Sequence, residues 1–253
     1  MTKNCSWQLR TWGIAMADGP NTELIAAVRK ELARVADPTK APAMQAYMKS
    51  AMPYLGVPAP ASRQVCRAVF AAYPLASYDE WRETALALWR EARYREERYA
   101  AIGLTGDRRY RAYQRLDALP MYEEMITNGA WWDYVDDLAS HRIGPLLARY
   151  PDPMRATMLA WSRDANVWKR RTAILSQIGF KVATDEQLLY DCIAPNLSDR
   201  DFFIRKAIGW ALREYAKTRP NAVRRYVREH ENALSPLSRR EASKHLADED
   251  TTG

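Results

Sequence analysis

Sliding the chain against itself by 72 residues without gaps lays Trp89 on Trp161, Arg98 on Arg170, and Ala101-Ile102 on Ala173-Ile174. A slide of 36 lays Trp132 on Trp168. One of 35 lays Asp164 on Asp199, Trp168 on Phe203, Arg170 on Arg205 and Arg171 on Lys206. A period near 36 residues has room for one helix pair. A unit that small cannot bury its apolar face alone, whereas stacked copies bury a continuous core. The repeat therefore predicts an all-α solenoid of HEAT-like (ARM-type) units whose second helices line a concave side.

Composition agrees. With 10 Gly against 9 Trp and 14 Tyr in 253 residues, the chain lacks the turn formers of a β protein, and 47% hydrophobic content suffices for a long core. Residues 1–20 read as a leader or short first helix, 21–246 as one repeat domain, and 247–253 as a frayed tail. Asn21 or Thr22 starts a helix through Leu24, Ile25, Val28, Leu32 and Val35, which Asp37-Pro38 stops. A second helix spans about 42–52 and carries Tyr47; another spans about 62–73. Ser77 with Glu80, Thr184 with Gln187, and Ser238 with Glu241 fit the capping box, and Asp152-Pro153 fits a cap followed by a first-turn proline.

Charge and cysteines narrow the function. The net charge of +7 makes nucleic acid a plausible partner without requiring it. Cys5, Cys66 and Cys192 are odd in number and far apart, and His141, His230 and His245 are scattered. The expectation is a reduced, cytoplasmic protein with no metal and no cofactor. No apolar run approaches the roughly 18 residues of a membrane helix.

The stretch 128–140 concentrates the chemistry. As a helix it stacks Trp132 and Asp136 on one face, four residues apart. Trp131 and Trp132 then point about 100° apart, so Trp132 is assigned to the groove and Trp131 to the interior. In the column of Asp136 the 36-residue repeat puts Ala100, Thr172 and Ala207, all small, which sets the carboxylate apart from packing residues. Arg171 follows Trp168 by three residues and Trp210 follows Lys206 by four. These also read as an aromatic and a cation on a shared wall. Each residue has a plainer reading beside the functional one: both Trp131 and Trp132 as packing, Asp136 as an ion-paired surface residue, Arg170 and Arg171 as internal salt bridges, Trp210 as core.

The strings AYMKSAMPYLGV (46–57), WWDYVDD (131–137), NVWKRRTAIL (166–175) and FFIRKAIGWALREYAKTRP (202–220), in this order and spacing, resemble the AlkD-like DNA alkylation repair glycosylases over roughly 24–246. The resemblance implies a right-handed α-α superhelix with a concave DNA-binding groove. It also implies hydrolysis of N3- and N7-alkylated purines such as 3-methyladenine and 7-methylguanine from double-stranded DNA. By position it carries catalytic roles to Trp132, Asp136 and Trp210, and a DNA contact to Arg171. Tyr47 matches an aromatic near the DNA, and Lys206 with the basic excess is expected to hold phosphate. The chain departs from the pattern mainly in its leader and at 103–120. The expected enzyme is monofunctional, monomeric, without metal or membrane, and cytoplasmic or nucleoid-associated when on DNA. The alternatives are a non-catalytic HEAT-like module for damaged or branched DNA, and a protein-binding scaffold.

Overall fold

The computed structural model of the protein describes residues 19–246. The leader up to residue 18 and the tail from 247 lie outside the described residues. Among those described there are helices and no strand. The first half runs α1 (Thr22–Arg34), α2 (Ala41–Met48), α3 (Ala59–Ala72), α4 (Tyr78–Arg90), α5 (Arg95–Thr105), α6 (Leu119–Gly129) and α7 (Trp132–Leu138). The second runs α8 (Gly144–Arg149), α9 (Pro151–Trp161), α10 (Val167–Leu175), α11 (Glu186–Ile193), α12 (Phe202–Ala216), α13 (Pro220–Glu229) and α14 (Pro236–Ala242). A π-helical stretch, Ala139–Ile143, joins α7 to α8.

The caps explain where these helices begin. The Asn21 side chain accepts from the Leu24 amide and Ser77 from the Glu80 amide, as their spacing predicts. Only half of the expected box forms at Ser77, because the Glu80 carboxylate accepts from the Ala76 amide and from Asn21 Nδ2. Three starts differ from expectation. Asp185, not Thr184, caps α11, and Ser235, not Ser238, caps α14. Tyr150 precedes α9, so Asp152 lies inside its first turn, where a carboxylate suits the positive helix end.

One row of helices positions the groove. In order, α5 packs on α7, α7 on α10, α10 on α12, and α12 on α14. Their N-caps are Tyr94, Trp131, Asn166, Asp201 and Ser235, at intervals of 37, 35, 35 and 34 residues. The repeat is therefore uneven, and an ungapped slide of 36 misaligns it by a residue. Counted from the caps, Asp136 shares the fifth helical position with Tyr99, Arg171 and Lys206. The small residues Ala100, Thr172 and Ala207 align with Asp137 instead. The apparent break in a column of small residues at Asp136 is thus corrected: Asp136 belongs to a polar column.

Two glycines permit close approaches. A Cβ on Gly209 would lie 2.5 Å from Glu241 Cβ, so its absence lets α12 and α14 touch. Gly56 has φ +83°, and a Cβ there would lie 2.0 Å from the Asp37 carbonyl oxygen. The turn around Gly56 is tied to α5 by Glu96, fully buried, whose carboxylate accepts from the amides of Leu55, Gly56 and Val57. Below the row lies a core rich in large rings, with Trp81, Trp89, Tyr122 and Tyr134 inaccessible to solvent. Burying such side chains contributes on the order of 1.5–3 kcal/mol each. A smaller, more aliphatic core holds the last helices together.

Candidate functional site

The helix expected over 128–140 is in fact split. Asn128 and Gly129 finish α6, Ala130 is left-handed at φ 44°, and Trp131 is the extended N-cap of α7. The tryptophans diverge because one lies before the helix and the other in it. The Trp131 ring sits 6.3 Å from Trp168 and 5.5 Å from Phe203, which are 5.0 Å from each other. Trp131, rather than Trp132, completes that aromatic column. Trp168, read from sequence as a groove residue, is buried in it. Trp132 is half-buried and packs against the same core.

Around α7 the first and fifth helical residues, Trp132 and Asp136, lie within about 40° of each other, with Asp133 and Asp137 next on the same side. All four therefore share one face. Arg171 Nε and Nη2 donate to Asp136 Oδ1 and Oδ2 at 2.7 and 2.8 Å, and Arg171 Nη1 donates to the Phe203 carbonyl at 2.5 Å. One guanidinium thus ties α7, α10 and the start of α12 together. At 4% side-chain exposure it is committed inside the protein, which matches the salt-bridge reading and not a guanidinium held out to phosphate. Burial pushes the Asp136 carboxyl above its ordinary value, and the Arg171 guanidinium opposes that shift.

The other expected residues are more dispersed. Trp210 is half-buried on α12 against the smaller core. Lys206 points to α14, 2.8 Å from Glu241 Oε1, and remains partly exposed. Glu241 also receives Arg213 and Lys244, and its carboxyl is held at about 2 by Lys206 first and Lys244 next. Tyr47 stands out from α2 with 77% of its surface exposed.

The other flank of α7 was not visible in the sequence. Arg95 Nη2 donates to both oxygens of Asp133 at 2.7 Å, and Tyr99 Oη donates to Oδ2 at 2.6 Å. Tyr54 and Tyr99 hydroxyls are 2.9 Å apart, and the Arg95 guanidinium lies 4.2 Å from the Tyr134 ring centroid. These partners are 34–45 residues apart in sequence, except for the helical step from Arg95 to Tyr99. Beside them opens a cavity of about 1030 Å³ between α2, α3, α5 and α7, with Tyr47 at its edge and Asp133 and Asp137 in its wall. Asp137 bonds His141 of the π-helical stretch at 3.1 Å. Burial works to raise the Asp137 carboxyl, but His141, Arg142 and Arg63 together leave it below its usual value. The cavity also holds Cys66, whose thiol burial pushes up to about 12, too high for a nucleophile near neutral pH.

Among the described residues no group of His, Cys, Asp and Glu side chains is arranged to hold a metal ion, and no helix is long and apolar enough to cross a membrane. A family model described as DNA alkylation repair enzyme matches residues 28–246. Among solved structures, one described as a predicted DNA alkylation repair enzyme from Enterococcus faecalis is 30% identical, with a TM-score of 0.77, covering 84% of this chain and 97% of its own. AlkD2 from Streptococcus mutans is similar in fold, at 15% identity and a TM-score of 0.62, covering 90% of this chain and 99% of its own. So is smu.31 from Streptococcus mutans UA159, at 16% and 0.56, covering 74% and 92%. Among curated proteins there is no match.

Proposed function

Because the chain belongs to the DNA alkylation repair enzyme family, we propose that it is a monofunctional DNA glycosylase. It would hydrolyse the N-glycosidic bond of N3- and N7-alkylated purines, such as 3-methyladenine and 7-methylguanine, in duplex DNA and leave an abasic site. The observation that carries this reading is a largely buried carboxylate, Asp136, paired among the described residues with one guanidinium, on the same helix face as a half-buried tryptophan.

The chemistry suits so sparse a site. An N3- or N7-alkylated purine is already cationic, so the glycosidic electron pair goes to the base, which leaves neutral and needs no general acid. The positive charge moves to the deoxyribose, and water then adds at C1′ and gives up a proton. Among the described residues Asp136 accepts two hydrogen bonds, both from Arg171, so its remaining lone pairs can face that sugar cation or orient the water. The rings of Trp132 and Trp210 add attraction for a desolvated cation. Arg171 acts as a positioning residue: its charge favours the ionised Asp136, and its bond to the Phe203 carbonyl fixes the carboxylate against α12, which carries Trp210.

Release of 7-methylguanine from methylated duplex, followed by chromatography, tests the assignment. Asp136→Asn is expected to slow release by about 10²-fold, the scale of losing one preorganised electrostatic group, with duplex affinity little changed. The Asp136–Arg171 pair is also what a helix-tethering salt bridge looks like, and a DNA-binding module without chemistry would retain it. Release at the parental rate selects that second reading.

A further inference from the structure

The cavity beside α7 is lined by none of Trp132, Asp136, Arg171, Lys206 or Trp210. At about 1030 Å³ it is at the upper end of small-ligand pockets, which span roughly 300–1,000 Å³. Its floor is apolar and aromatic: Met48, Tyr54, Cys66 and Phe70 are buried there. Its rim is cationic. Arg63, Arg67 and Arg108 line it with exposed side chains, and no ion pair involves them among the described residues. Arg95, Arg170, Arg171 and Arg213 all have carboxylate partners. Asp107 and Asp137 also line the cavity, and Arg63 is near enough to lower the Asp137 carboxyl. The arginines outnumber the carboxylates there, however, and guanidiniums around an apolar, aromatic floor suit an anion that carries an aromatic ring.

Asp133 adds a polar element at depth. A carboxylate offers about four acceptor positions. Arg95 and Tyr99 use three, two on Oδ2 and one on Oδ1, so Oδ1 retains an open acceptor position on a residue that lines the cavity. It would take a hydrogen bond from an amino group. A phosphate, an aromatic ring and an amino group together describe a nucleotide.

We infer that this cavity holds an unpaired, amino-bearing nucleotide of the bound DNA, its base over the aromatic floor, its amino group on Asp133 and its phosphates on Arg63, Arg67 and Arg108. Tyr47, exposed at the mouth, offers the stacking face that non-specific single-strand sites use. The inference rests on the reading of the groove as a DNA face, but not on Asp136 being catalytic.

Fluorescence anisotropy with three otherwise identical duplexes tests it: fully paired, with one unpaired dA, and with one unpaired dT. The protein is expected to bind the dA duplex about tenfold more tightly than the paired one, as one stacked base allows, and the dT duplex less tightly than dA because thymine lacks the amino group. Gly103 supplies the blocking variant. A Cβ there meets only Phe70 Cε2 at 3.9 Å, so Gly103→Leu grows into the cavity without a backbone clash. It is expected to remove the preference for dA while paired-duplex binding persists. The double variant Arg63→Ala, Arg67→Ala, which fills nothing, is expected to reduce the same preference.

Equal affinity of the wild-type protein for the three duplexes overturns the inference. So does a preference that survives in both variants. Assayed on the same preparations, loss of 7-methylguanine release with an intact dA preference would remove the proposed chemistry and leave this site standing.

Discussion

The two flanks of α7 carry the same interaction with opposite consequences. On one side Arg95 grips Asp133 through both oxygens; on the other Arg171 grips Asp136 likewise. Asp133 also receives the Tyr99 hydroxyl, and its arginine lies among the rings of Tyr54, Tyr99 and Tyr134. Among the described residues Asp136 is bonded by Arg171 alone, and burial raises its proton affinity. A carboxylate held by three hydrogen bonds from α5 fixes a helix in place, whereas one held by a single partner is left with more attraction to offer a passing cation. The pairing motif is therefore silent about role, and the hydrogen-bond inventory around it decides.

The sharpest way to break this contrast is to remove the arginine from the Asp133 side. Arg95→Met leaves Asp133 without its counter-charge and is expected to cost about 3 kcal/mol of unfolding free energy, the low end for one half of a buried pair because Asp133 borders an open cavity. Urea denaturation measures it; a loss under about 1 kcal/mol would make the pair an ordinary surface bridge. Next, Asp133→Asn is expected to slow 7-methylguanine release less than tenfold, against about 10²-fold for Asp136→Asn. Equal rates for the two variants would erase the distinction. Tyr99→Phe removes one charged hydrogen bond from Asp133 and should cost about 1.5 kcal/mol by the same denaturation assay, with little change in release.

The smallest effect is a shift along the pH axis. In the proposed mechanism Asp136 acts ionised, so activity is expected to fall as pH drops through its raised value, and the acid limb of the rate profile should lie above that of an ordinary aspartate. Arg171 lowers that value. Arg171→Met is therefore expected to move the limb to higher pH, with residual activity recovering on the alkaline side. A limb that stays in place would show that the guanidinium does not set the charge of Asp136.

Much of this architecture was legible from residue order. The repeat, the caps at Asn21 and Ser77, and the adjacency of the helices bearing Trp132, Trp168 and Trp210 all follow from short-range rules. Amphipathic spacing and capping involve neighbours a few positions apart, so the chain states them directly. Two caps were misplaced because Thr184 and Ser238 lie within three residues of Asp185 and Ser235, polar side chains that cap instead, and at α9 Asp152 falls inside the first turn after Tyr150, whose side chain makes no cap bond. Trp131, assigned to the interior, does meet Trp168, whereas the slide of 36 laid Trp132 on it, because the left-handed Ala130 and extended Trp131 interrupt the helix that the slide assumes.

Sequence alone determined that helices form, that Asn21 and Ser77 start two of them, and that they stack in a row, since these depend on local hydrogen bonding and a repeating apolar stripe. Only the tertiary structure decided that Arg171 spends its charge on Asp136, that Lys206 goes to Glu241, and that a cavity opens beside Asp133. Those outcomes depend on how far each rung is offset from the next. Caps spaced by 37, 35, 35 and 34 residues and a π-helical turn after α7 set that offset to within a side chain's reach.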